Sequence, residues 1–449
     1  MNDIKGMKDL TVGDEGKLVV QFTIPMIIDN VLQQSYQIVN SIIVGRFIGD
    51  SALAAVGASF PIIFLLISLV VGIANGSTII VAQLYGAKNF EKINKAIDTL
   101  NIFMFFASLI LSFIGIYFAH DIFVLLNLPK EVIPSATLYL QVYLWGLIGL
   151  FGFHSASAIL RGMGDSKTPL YIQLASIVLN IILDLILIIG FKMGVEGAAI
   201  ATIVAQGGTF LFTVIYLNKT NSKVRFKLFN LQWDKQMFKQ SVRIGLPSGL
   251  QQSFVALGMM ALIWIVDQYG TNVVAAYSVA SRIDMFASIP AMTFSYGLST
   301  FVGQNIGAGK WERTRKGFHK TLWITTVMSV ALALIIGLFS HAIMTAFTRN
   351  IVVINVGSQY LQIVASFYVL FSLMFVIQGI LRGAGDTLVP MFITLFALWG
   401  VRIPAAYVLS HYFGIVGIWW SIPTGWVVGM LLAWVWYLKG NWKTKSIIN

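Results

Sequence analysis

Asp184 is the residue around which chemistry in this chain must be built. It closes an otherwise apolar run, LYIQLASIVLNIILD (Leu170–Asp184). An ionisable group inside a membrane-length apolar helix is costly enough to mark a functional site. At helical spacing, Gln173, Ser176, Asn180 and Asp184 share one face, and so do Asp29, Gln33, Tyr36 and Asn40 in the first apolar run. Lipid does not solvate such side chains, so both faces must turn toward protein or a wet cavity. Counted from the glycines at the outer helix ends at about 1.5 Å per residue, Asn40, Asp184 and Thr202 lie at one depth, roughly 7–9 Å in. Polar oxygens from three helices at one level suit a proton or small-cation site.

A second group of polar residues suits a substrate cavity: Asp29, Gln33, Gln34, Gln173, Asp284, Ser288 and Arg402. Asp284 lies on a stripe with Ser281, Ser288 and Ser295 and would attract cations, or else pair with an Arg of a neighbouring helix. Asp29 reads equally as a deeper cavity charge or a structural partner. Arg402 either balances an acid or snorkels. His154 stands alone and reads as an interior histidine. No set of catalytic residues and no cofactor or nucleotide motif is visible. LRGMGDSKTP (Leu160–Pro169) returns in the second half of the chain as LRGAGDTLVP (Leu381–Pro390), but the P-loop lysine pattern is missing from both. These are helix-ending turns: glycine supplies a positive φ, Asp165 or Ser166 caps the next helix, and Pro sits in its first turn. Arg161 and Arg382 would fix their cytoplasmic ends.

The elements that carry these residues are membrane spans. The 449 residues are 57% hydrophobic and only 11% charged, with no cysteine, and mean hydropathy is +0.81. A soluble chain of this length needs about a quarter of its residues charged. Twelve apolar stretches of spanning length occur, near 18–44, 52–84, 96–119, 133–160, 169–191, 196–217, 245–269, 272–305, 319–340, 354–381, 389–412 and 414–438. Pro61 and Pro290 lie inside the two longest, where a helix would bend. With the N-terminus inside, 24 Lys and Arg fall on the cytoplasmic side and 4 outside, which places both termini in the cytoplasm. The net charge of +12 is therefore membrane topology rather than nucleic-acid binding.

Further pairs share the offset between the two turns. VAQLYGAKNFEK (Val81–Lys92) matches VGQNIGAGKWER (Val302–Arg313), and Ala54-Ala55 matches Ala275-Ala276. The predicted fold is all-α, with twelve transmembrane helices in two six-helix lobes related by a pseudo-two-fold along the membrane normal. The predicted boundaries are a cytoplasmic segment 1–17, an N-lobe 18–217, a linker 218–244, a C-lobe 245–438 and a cytoplasmic tail 439–449.

At IIVGRFIGDSALAAVG, QLYGA, QNIGA and both LRGxGD turns the chain resembles the multidrug and toxic compound extrusion (MATE) family, over essentially its whole length. LNIILD and GAAIAT look like its DinF-like and related prokaryotic branches. A NorM-like carboxylate in the seventh helix is missing, since SGLQQSFVALG follows Pro247. The resemblance implies a coupling site of an aromatic and an acid in the first helix, Asn and Asp in the fifth and Thr in the sixth. Carried across, these are Tyr36, Asn40, Asn180, Asp184 and Thr202, with Asn40 standing where the family has an acid. It also implies a non-enzymatic secondary exporter of amphipathic, often cationic drugs, a monomer of the prokaryotic cytoplasmic membrane. The coupling ion would be H⁺, or Na⁺ held by Asp184, Asn180 and Thr202. Two rivals fare worse: a lipid-linked oligosaccharide flippase wants a cationic cavity, yet only Arg282 and Arg402 lie within spans. A prenyltransferase wants clustered Asp for Mg²⁺, but Asp165 and Asp386 are single turn residues.

Overall fold

The computed structural model describes residues 7–220, 224–227 and 230–447. Parts of the predicted 1–17, 218–244 and 439–449 segments thus lie outside the described residues. The chain runs through α1 (Glu15–Phe47), α2 (Asp50–Gly86), α3 (Phe90–Leu125), α4 (Ile133–Trp145), α5 (Leu147–Gly162) and α6 (Lys167–Asp184). A π-helical turn, Leu185–Gly190, continues α6, and α7 (Gly194–Thr220) follows. The second half comprises α8 (Lys235–Asp267), α9 (Thr271–Gly307), α10 (Trp311–Leu338), α11 (Ser340–Thr345), α12 (Ile351–Ala365), α13 (Tyr368–Gly383) and α14 (Leu388–Leu395). Another π turn, Phe396–Arg402, leads into α15 (Ile403–Phe413), and α16 (Ile415–Lys439) ends the bundle.

Apolar length dictates these helices, because backbone amides in lipid must be satisfied within the segment. Among the described residues, eight helical stretches are long and apolar enough to cross a membrane, and the bent pairs α4–α5 (49°) and α12–α13 (48°) bring the number to ten. The other two predicted spans are α1 and α9, with 33 and 37 residues. Gly146 stands at the break between α4 and α5, where any Cβ would collide with Ile203 of α7. Pro61 and Pro290 lie inside helices that run on as single elements.

The duplication is written into the helix boundaries. α2, α3, α6 and α7 begin at Asp50, Phe90, Lys167 and Gly194. α9, α10, α14 and α16 begin at Thr271, Trp311, Leu388 and Ile415, so all four pairs keep the offset of the sequence repeat. Both LRGxGD turns place a glycine at positive φ, 88° at Gly164 and 97° at Gly385, as expected for a residue without Cβ. Asp165 Oδ1 accepts from the backbone N–H of Lys167 (3.1 Å) and Thr168 (3.0 Å), so it is Asp165 that caps α6.

The two compact units do not divide at the linker. One takes in Ile28–Gly249, and the other combines Leu10–Ile27 with the chain from Leu250 onward. The first halves of α8 and α1 are therefore each built into the unit formed by the other half of the sequence. In the first unit, Gly72 and Gly76 of α2 meet Gly249 and Gly245 of α8 backbone to backbone, with no room for a Cβ. In the second, Gly297 of α9 is pressed against the buried Thr23 of α1. Gly297 is the counterpart of Gly76 at the repeat offset, so the two contacts are repeat-related.

The residues before α1 are fastened within the second unit. Leu10 N–H donates to Gln304 Oε1 (3.0 Å), Asn305 Nδ2 to Leu10 O (3.2 Å) and Lys310 Nζ to Thr11 O (2.9 Å). Lys320 reaches both Asp14 (2.6 Å) and Glu15 (2.8 Å) and holds their carboxyls below the usual range. Deeper in this unit, the fully buried Trp419 stacks on Tyr277, with centroids 5.8 Å apart, and meets Tyr360 edge-on at 5.0 Å. Substituting Gly245→Leu drives a side chain into the α2 backbone. It should lower the thermal midpoint of the purified protein by the equivalent of about 1–3 kcal/mol or more. Gly57→Ala in α2, where nothing lies within 4 Å of an added Cβ, should leave the midpoint unchanged or slightly higher.

Candidate functional site

Three of the five coupling candidates form one hydrogen-bonded chain within the first unit. The Tyr36 hydroxyl of α1 donates to Asn180 Oδ1 of α6 at 2.6 Å. Asn180 Nδ2 donates to Thr202 Oγ1 of α7 at 3.3 Å, and Thr202 donates in turn to the Ala198 carbonyl at 3.0 Å. The packing of α6 on α7 fixes this level, because Asn180 and Thr202 sit on facing stripes.

Asp184, one helical turn beyond Asn180, is fully buried, and neither carboxylate oxygen has a hydrogen-bond partner. It lies close enough to Tyr36 for their charges to interact. A buried carboxylate without donors is expensive as an anion, so this position favours a neutralising proton or cation. Asp184 also marks the point where α6 loosens into its π turn, and such turns concentrate at functional positions. The chain beyond that turn lines an open cavity of about 540 Å³ through Lys192, Met193 and Glu196, together with Ile48, Ser51 and Ser135. Asn40 is buried with its Oδ1 unpartnered, and no hydrogen bond joins it to the other four.

Tyr139 and Tyr143 of α4 stand beside the same group, 6.2 Å apart, and both interact electrostatically with Tyr36 or with each other. Sequence reasoning passed over them because aromatic residues in apolar runs look like packing. Their i,i+4 spacing was the only signal.

The cavity candidates fare differently. Asp29 accepts from Arg161 Nη2 at 2.8 Å in a largely buried ion pair. Gln33 is exposed, while Gln34 and Gln173 are half-buried. In the second unit Asp284 is half-buried, and the Tyr360 hydroxyl donates to its Oδ2 at 3.4 Å. Its Oδ1 has no partner, Tyr368 lies alongside, and Arg402 acts on it electrostatically without an ion pair between them. The Ser288 hydroxyl donates to the Asp284 carbonyl at 2.8 Å rather than to its carboxylate. Arg402 ends the second π turn, and its Nε is unpartnered.

Two copies of a helical repeat that bury unpaired charges inside spanning helices define a membrane transporter. The family model for MatE matches the chain twice, over residues 25–186 and 247–408. The chain belongs to this family of multidrug efflux transporters, which are not enzymes. It is 35% identical over 435 residues to the probable multidrug resistance protein YoeA of Bacillus subtilis (strain 168), covering 95% of this chain and 94% of that one. It is 31% identical to the probable multidrug resistance protein YpnP of the same organism, covering 98% and 99%. Among solved structures, an outward-facing multidrug resistance MATE family transporter of the MOP superfamily matches with TM-score 0.91, at 26% identity over 98% of this chain and 99% of that one.

The ion pair of the first unit yields a direct test. Asp29→Ala leaves the Arg161 guanidinium without its counter-charge and should cost about 3–5 kcal/mol, read as a lower thermal midpoint. Replacing both residues together (Asp29→Leu with Arg161→Met) should recover most of that loss.

Proposed function

We propose that this transporter expels amphipathic, often cationic compounds in exchange for protons, with Asp184 as the coupling carboxylate of a DinF-like site. The observation that carries the reading is the fully buried Asp184 with two unpartnered oxygens beside the Tyr36–Asn180–Thr202 chain. A proton arriving there neutralises the carboxylate and lets the surrounding helices repack. A substrate that binds more tightly to the other state is released in the same switch.

Protons are favoured over Na⁺ by the state of the neighbouring oxygens. Asn180 Oδ1 already accepts from Tyr36, and Thr202 Oγ1 already accepts from Asn180. Na⁺ would have to share both oxygens with their present donors, with only one carboxylate present because residue 40 is Asn. A proton needs a single oxygen and disturbs neither bond. Asn40 tunes the level without adding like charge. Gln33, Gln34, Gln173, Asp284, Ser288 and Arg402 are the polar residues we assign to substrate contact, and the protein acts as a monomer with both termini in the cytoplasm.

Everted vesicles carrying the wild-type protein should accumulate a fluorescent organic cation on energisation and lose it when the proton gradient is collapsed, irrespective of Na⁺. Asp184→Asn should abolish gradient-driven accumulation at near-normal membrane expression. Accumulation at the wild-type rate would assign the carboxylate a structural role. Asn40→Asp should introduce Na⁺ dependence or move the pH optimum. Asp284→Asn should change the pattern of resistance across a panel of cationic and neutral drugs. Uniform loss for every compound would instead place Asp284 in coupling or folding.

A further inference from the structure

The repeat offers an internal control on buried charge. Arg161 and Arg382 occupy the same place in the two LRGxGD turns. In the first unit Arg161 Nη2 bonds the Asp29 carboxylate at 2.8 Å. Pro25 and Pro247 set the register of α1 against α8, and in it the position that mirrors Asp29 in the second unit is Gln251, which carries no charge. Arg382 is nonetheless the more deeply buried of the two arginines, at 3% exposure. Its Nη2 donates to Gln378 Oε1 at 2.8 Å and to Gln251 Oε1 at 3.4 Å. Its Nε and Nη1 have no acceptor at all. The Tyr296 ring covers one face, 5.2 Å from the guanidinium carbon.

Every polar neighbour of Arg382 is neutral, and each is already engaged. Gln251 Nε2 donates to Thr394 Oγ1 (2.6 Å) and to Gln378 Oε1 (3.3 Å), and Gln378 Nε2 donates to Thr394 Oγ1 (3.2 Å). Asp386, in the same turn, accepts at its Oδ2 from Trp436 Nε1 at 2.9 Å and forms no ion pair with Arg382. A guanidinium remains charged under all ordinary conditions, and an uncompensated buried charge is strongly destabilising. The amide dipoles of Gln251 and Gln378 offset part of that, on one nitrogen only.

We propose that Arg382, with Gln251, Gln378 and Tyr296 around it, is a binding site for a small inorganic anion of chloride's size. The anion takes the counter-charge role that Asp29 fills in the other repeat. Size follows from burial: two donors that are closed off from solvent suit a monatomic ion, whereas a lipid phosphate with its acyl chains needs an exposed approach. The site stands apart from Asp184, on the other unit, and does not depend on which ion drives export.

The test is thermal unfolding of the purified full-length protein in detergent, with chloride titrated against gluconate at fixed ionic strength and pH. Wild type should show a saturable rise of a few degrees in midpoint with chloride. The rise should vanish in Arg382→Gln. It should also vanish in Gln251→Glu, which supplies a carboxylate at the mirror position, and that variant should be more stable than wild type in gluconate. Crystals grown in bromide should show an anomalous peak beside Arg382 in wild type. Should Arg382→Gln fail to fold, the Gln251→Glu titration and the bromide peak decide the matter. No chloride response in wild type, an equal response in either variant, or no bromide peak overturns the proposal. So does a midpoint rise produced by phosphatidylglycerol in chloride-free buffer but not by chloride, which would assign the site to a lipid phosphate.

Discussion

The cost of leaving a charge unneutralised inside a helical bundle is the constraint that organises this molecule. Three solutions coexist. Asp29 and Arg161 answer each other directly within one unit. Asp184 keeps both oxygens free of any protein donor. Arg382 has only glutamine carbonyls to face it. A direct pair holds its groups in place whatever the surroundings do. A lone charge instead makes the stability of its neighbourhood depend on what arrives from outside, which is the property a coupling device needs.

The hydrogen-bonded chain beside Asp184 refines that point. Tyr36, Asn180 and Thr202 satisfy one another and end on the Ala198 carbonyl. Three helices are thus held at one level without any of them donating to the carboxylate. A donor pointed at Asp184 would stabilise its anion and weaken its response to protons. The neighbours of the acid are hydrogen-bonded to one another, and the acid itself is left unsatisfied.

Much of this was legible in the sequence, for reasons that also explain what was not. Twelve spans follow from apolar length, and the repeat from a shared offset that the helix starts reproduce at Asp50 and Thr271. Helical faces placed Tyr36 with Asn40 and Asn180 with Asp184, and depth placed Asn40, Asp184 and Thr202 at one level, both of which are local periodicities. Tyr36, Asn180 and Thr202 came together only through the family resemblance. The breaks after Trp145 and Ala365 were not foreseeable, because hydropathy continues straight through them. The Arg161–Asp29 pair joins residues 132 apart in sequence, and no periodicity connects them. Asn40 shared the right depth yet makes no hydrogen bond to the other site residues. Depth along a helix says nothing about rotation about its axis.

The glycine contacts have a consequence for the order in which the chain can be completed. The unit that contains Asp184 includes the first half of α8, seated on Gly72 and Gly76. It cannot close until synthesis has passed Gly249, beyond the linker. The other unit includes Leu10–Ile27, the earliest described part of the chain to enter the membrane. That segment must wait, with Thr23 uncovered, until synthesis has passed the linker and the whole of α8 and reached Gly297. Neither repeat is then a module that a ribosome could release finished, and a gene cut at the linker would encode two fragments, each lacking a helix half that the other carries.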